Sequence, residues 1–134
     1  SNSYPDAYGQ RHARAGADPR IVSLVPSITE LLFDLQLDQA VVGRTGFCIH
    51  PAGAVRRVKK LGGTKDVDIA GIRELEPSHV IVNIDENTLP VFEALQSFLP
   101  SVIVTPPQPP AANLDLFIDW RVFFHDYTKR NRGD

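Results

Sequence analysis

The 134-residue chain has one cysteine, so no internal disulfide can form and the thiol count leaves the redox compartment open. It lacks a charge excess of either sign. Fourteen Lys and Arg against sixteen Asp and Glu give a net charge of −2, which supplies no electrostatic drive toward nucleic acid or an anionic membrane. No apolar run approaches the ~20 residues needed to cross a bilayer. Ser1 to Pro19 is polar, rich in Gly, Ala, Arg and Asp, and contains no apolar core of a signal peptide, so it reads as a disordered lead-in. The chain starts on Ser and not Met, as a processed or cloned fragment would, so the missing leader leaves localisation open.

Catalytic signatures are missing as well. Gly62-Gly63-Thr64-Lys65 does not have the G-x-x-x-x-G-K-[ST] spacing of a P-loop, no G-x-G-x-x-G follows a strand, and no G-x-S-x-G elbow occurs. A magnesium-binding receiver-like site needs carboxylates after the first strand, where Val25-Pro26-Ser27 is neutral. Asp85 and Glu86 are adjacent carboxylates, whose plain role is a solvated turn or a polar ligand contact; they keep a small enzyme as the third reading.

What is present is an α/β rhythm. Ile21–Val25, Ala40–Gly43, His79–Asn83 and Val102–Thr105 are rich in Val and Ile, as parallel strands covered on both faces are. Helical stripes separate them: Ile28, Leu31, Leu32 and Leu35; Ile69, Ile72 and Leu75; Val91, Leu95 and Phe98. This alternation predicts a three-layer, Rossmann-like domain with a parallel sheet. Ser27 and Glu30 have the S-x-x-E spacing of a capping box, which makes Glu30 a cap and not a catalytic acid. Arg56-Arg57-Val58-Lys59-Lys60 reads as a solvated surface. Pro106-Pro107-Gln108-Pro109-Pro110 forms a stiff exit from the domain. Three units follow: residues 1–19, a lobe over 20–111, and an aromatic helix with a basic tail over 112–134.

In a parallel sheet the ligand crevice lies beyond the carboxyl ends of the strands. That selects Val25-Pro26-Ser27, Arg44 to His50 and Ile84 to Asn87, with the Gly62–Lys65 turn at the rim. Four segments, Arg20–Leu35, Val41–Pro51, Leu61–Ile69 and Ile72–Val82, together resemble the N-terminal lobe of the helical-backbone metal receptors. These are the class III periplasmic substrate-binding proteins of ABC importers, and the nearest likeness is to the cobalamin-binding branch. The resemblance covers roughly Arg20 to Leu114. Family members have two lobes with the ligand between them; the second lobe is absent from this sequence.

The resemblance implies uptake of cobalamin, haem or a ferric siderophore, with the chelate as transported ligand and no cofactor required. It places Pro26, Ser27, Thr45, Phe47, Thr64, Asn83, Asp85, Glu86 and Asn87 toward the ligand. Phe47 stands where cobalamin-binding relatives carry an aromatic against the corrin ring. Cys48 and His50 are the nearby donors to a metal, although a lone thiol is more often a small buried hydrophobe. Importer-type relatives carry a permease-docking glutamate on the short helix after the GGTKD-like turn, and Ala70 occupies that position here, which puts docking in doubt. The alternative is an interaction module lacking tight ligand binding. It would act through Phe117, Trp120, Phe124 and Tyr127, a stripe that would self-associate if exposed.

Overall fold

A computed structural model describes residues 3–63, 66–85, 87–99, 101–106 and 118–132. Its centre is a parallel sheet in the order β5-β4-β3-β6-β7, formed by β3 (Ile21–Ser23), β4 (Val41–Arg44), β5 (Lys59–Lys60), β6 (His79–Asn83) and β7 (Val102–Thr105). The expected parallel α/β domain is there, with one strand more than the sequence suggested. Lys59 and Lys60 are solvent-facing, as expected of the basic cluster, yet their backbone extends the sheet beside Gly43 and Arg44.

Strand alternation divides the interior into two apolar layers. Ile21, Val41, Ile81 and Ile103 face one way and Val22, Val80, Val82, Val102 and Val104 the other. The second face is covered by α3 (Ile69–Leu75) and α4 (Leu89–Gln96), through Ile72, Val91, Phe92 and Leu95. Asp68 caps α3 by accepting a hydrogen bond from the Gly71 backbone at 2.9 Å, and the helix ends where Glu76 turns left-handed (φ 49°) before Pro77.

The first face is covered by α1 (Pro26–Asp34), whose Ile28 and Leu32 are buried, and by the C-terminal helices α5 (Trp120–Phe123) and α6 (His125–Arg132). The capping box does not form. Val25 is the extended N-cap residue and makes no side-chain cap bond, while Pro26, with its fixed φ and missing N–H, occupies the first turn. That leaves Ser27 inside the helix and Glu30 on its exposed side.

Two readings of the chain ends are settled by burial and pairing. The aromatic stripe would associate only if exposed, and that condition is not met: Trp120, Phe123, Phe124 and Tyr127 are buried against Ile21, Ile81 and Ile103. One helix cannot cover this side of the sheet, and self-association through Trp120 and Phe124 would require pulling them out of the core. Phe117 and the 111/112 boundary lie outside the described residues, as do Pro107 to Pro110.

Residues 1–19, read as a disordered lead-in, contain an antiparallel hairpin of β1 (Ser3–Pro5) and β2 (Arg11–Ala13). It closes the outer edge of β7. Ala7 N–H donates to Val104 O at 2.8 Å, and Val104 N–H donates to the Asp6 carboxylate at 3.1 Å. His12 lies 2.8 Å from the same carboxylate and 2.7 Å from Ser101 Oγ. An unpaired edge and a polar segment with few apolar residues are thus matched through hydrogen bonds, which leave no hydrophobic periodicity to read.

Candidate functional site

In this strand order the chain leaves β3 toward β4 on one side and returns as β6 on the other. The reversal opens a crevice at the carboxyl ends of β3 and β6, where open α/β sheets hold ligands. The loop after β3 begins α1 with half-buried Pro26 and exposed Ser27. The loop after β6 presents exposed Asp85. The loop after β4 rises beside them and carries Phe47.

Phe47 is 63% exposed and Ile49 57%, large apolar surfaces that the fold leaves in water at this end of the sheet. Leu89, at the start of α4 on the same end, is 57% exposed. The Phe47 loop is nevertheless well fixed. Cys48 N–H donates to Thr45 O at 3.1 Å, and Gly46 N–H donates to Gly62 O at 2.7 Å, joining the loop to the glycine turn. Gly62 has φ +89°, and a Cβ there would lie 2.4 Å from Asp66 O, so only glycine fits. A Cβ at Gly63 would lie 3.5 Å from Phe47 Cε2, so the ring rests beside that bare backbone.

Arg44 anchors the loop from beneath. Its buried guanidinium donates to the carbonyls of Val55 (2.8 Å), Val58 (3.2 Å), Thr45 (3.2 Å) and Cys48 (3.3 Å). Four carbonyl acceptors for one guanidinium hold the α2 segment (Ala52–Val55) and the Phe47 loop in register. The sequence offers no signal for this role, since an arginine ending a strand normally reaches solvent.

Several residues expected at the ligand are buried and bonded within the protein. Thr45 is fully buried with Oγ1 3.3 Å from Cys48 Sγ. Asn83 and Asn87 are buried and organise the β6 loop: Asn83 N–H donates to Asn87 Oδ1 (2.8 Å), Asp85 N–H to Asn83 Oδ1 (2.8 Å), and Asn83 Nδ2 to Pro106 O (3.1 Å). Short polar side chains that bond to nearby backbone make turns, and Asn83 and Asn87 have that local role here. Pro26, Ser27, Phe47 and Asp85 remain at the surface of the crevice end. Thr64 and Glu86 lie outside the described residues. Exposed Ile49 and Leu89 join them at this end; their signal in the sequence is an apolar side chain in a loop or at a helix start, where no periodic stripe claims it.

The metal-donor candidates separate cleanly. Cys48 is 1% exposed, in a nest with Thr29 Oγ1 at 3.1 Å, itself 2.8 Å from Ser23 Oγ, so its sulfur faces inward. His50 is exposed, and among the described residues no group of three or more His, Cys, Asp and Glu could hold a metal ion. Ala70 is exposed in the first turn of α3, and the neighbouring Asp68 carboxylate already caps that helix. Among the described residues no helix is long and apolar enough to cross a membrane.

No protein-family model matches the chain, and neither does any curated protein. Solved structures do. The periplasmic heme-binding protein RhuT of Roseiflexus sp. RS-1 superposes with a TM-score of 0.61 at 26% identity, over 66% of this chain and 34% of that one. The periplasmic vitamin B12 binding protein BtuF of Vibrio cholerae gives 0.66 at 20% identity, over 86% and 44%. The heme-binding protein HmuT gives 0.74 at 21% identity, over 96% and 43%. The chain has the fold of one Rossmann-like lobe of these class III periplasmic binding proteins and spans less than half the length of each.

Proposed function

We propose that this chain is a substrate-binding component, or one lobe of one, that recognises a flat metal chelate such as cobalamin or haem for ABC-type uptake, and that it binds without turnover. The observation that carries this reading is Phe47. A fixed loop holds a large aromatic surface in water at the crevice end of the sheet, beside Ile49, and an apolar macrocycle face is a partner that would cover both. The similarity to heme- and vitamin B12-binding folds supports the same ligand class. Pro26, Ser27 and Asp85 would meet the ligand's polar edge across the crevice. A permease partner belongs to this reading; Ala70 cannot supply a charged docking contact, so any docking would use other residues of α3, of which Glu74 is exposed.

Substituting Phe47→Ala should weaken chelate binding by about 1–3 kcal/mol, the value of an aromatic face removed from an apolar ligand. Cys48→Ser should leave binding nearly unchanged, because the sulfur lies under the loop and touches hydroxyls. Absorbance titration with cobalamin and with haemin measures both. A larger loss for Cys48→Ser would point to thiolate ligation and overturn the aromatic-platform reading.

A further inference from the structure

Beside the aromatic platform runs a second feature that neither the fold nor the loop geometry requires. Lys60 ends β5, paired in register with Arg44, and its stem turns along the Phe47 loop: a Cβ placed on Gly46 would lie 3.3 Å from Lys60 Cδ and 3.9 Å from Cγ. Gly46 is the residue immediately before Phe47. A lysine whose methylenes lie on bare backbone carries its ammonium outward to the rim.

That ammonium is unengaged. Lys60 is exposed, and among the described residues no hydrogen bond or ion pair includes its side chain, whereas the Arg44 guanidinium next to it is taken up by four carbonyls. Lys59 is also exposed, but alternation along the strand sends it to the other face of the sheet. Among the described residues, the loop therefore combines a flat apolar surface with a free cation, Lys60, at its border.

We propose that Lys60 is an anion anchor for the ligand, so that the chelate held on Phe47 carries a peripheral carboxylate that the lysine ammonium meets at the rim. This rests on the chelate-binding reading and narrows it to an anionic, carboxylate-bearing macrocycle. The anchor fixes the in-plane orientation of a disc that the aromatic ring alone would let rotate.

The test is titration of the chain with haemin and with haemin dimethyl ester, which keeps the flat iron macrocycle and removes both free carboxylates. The expected result is that Lys60→Ala weakens haemin about fivefold, the upper range for an exposed charge pair. The wild-type protein should bind the diester about as weakly as the variant binds haemin, and the variant should not distinguish the two. Added salt should weaken haemin binding to wild type and not to the variant. Lys59→Ala serves as the control and should bind haemin like wild type. Equal affinity of wild type and Lys60→Ala for haemin would overturn the anchor while leaving the platform standing, provided Phe47→Ala still weakens both ligands. A loss in Lys59→Ala equal to that in Lys60→Ala would also overturn it, replacing the anchor with a diffuse field. Failure of wild type to bind either ligand would overturn the anchor, and failure to bind cobalamin as well would remove the chelate reading with it.

Discussion

Phe124→Ala is expected to lower the folding free energy by about 4 kcal/mol, within the range for removing a phenyl ring from a closed core. Phe124 is fully buried. Its ring is stacked on Trp120 with centroids 6.0 Å apart and planes 18° from parallel, and it meets Phe123 edge-on at 5.0 Å. His79 closes the cluster from the sheet, 5.9 Å from Phe124 and 5.5 Å from Phe123. Truncation leaves a cavity bounded by rigid rings that cannot collapse into it, and the aromatic contacts are lost with the buried area. Val122→Ala, two residues earlier on the 42% exposed side of α5, should be close to neutral. Urea unfolding of the two variants beside wild type measures the contrast. A shift below about 1 kcal/mol for Phe124→Ala would show that the C-terminal helices do not complete the core.

The second large effect is acid destabilisation through His79. Burial first, and then the nearby charge of His12, lower its pKa from 6.5 to about 4. As pH falls below 6.5 the unfolded chain takes up a proton at His79 that the folded chain refuses, so unfolding gains free energy. The loss is absent above pH 6.5, grows through the interval, and is complete below about 4. A shift of this size corresponds to about 3 kcal/mol. His79→Gln cannot titrate, and its stability should fall less steeply between pH 6.5 and 4. Parallel acid limbs in denaturation of wild type and variant would assign the pH dependence to other groups.

The parallel sheet could be read from the sequence because Ile21-Val22, His79–Asn83 and Val102–Thr105 are apolar on both sides of the strand, a pattern few other elements satisfy. The loops that form the crevice end were legible for the same reason, since strand direction decides which loops share an end. The roles within those loops were not. Thr45, Asn83 and Asn87 are polar residues in loops at the carboxyl ends of the strands, and composition cannot tell a side chain that bonds its own loop from one that points into solvent. The capping box failed because Pro26 shifts the helix start one residue ahead of Ser27. The N-terminal hairpin is not legible because Asp6 and His12 attach it through polar bonds, and the cover of the aromatic stripe, the Ile21, Ile81 and Ile103 face, is not legible because it comes from far away in sequence.

That separation also sets the order in which the molecule can be completed. The βα units β3–α1–β4 and β6–α4–β7 each close over short stretches of chain, and both can form early. The first sheet face cannot be sealed in the same way. Ala15 N–H bonds to Phe123 O at 3.1 Å, Arg14 pairs with Asp126, and Arg130 pairs with Asp18, so residues before the sheet are held by residues after it. During synthesis Ile21, Ile81 and Ile103 therefore emerge from the ribosome well before Trp120 and Phe124 can shield them, and the nascent sheet passes through an interval with one apolar side only partly covered by α1. In that interval the domain is most open to chaperone capture and to misassembly, and the arrival of residues 118–132 ends it.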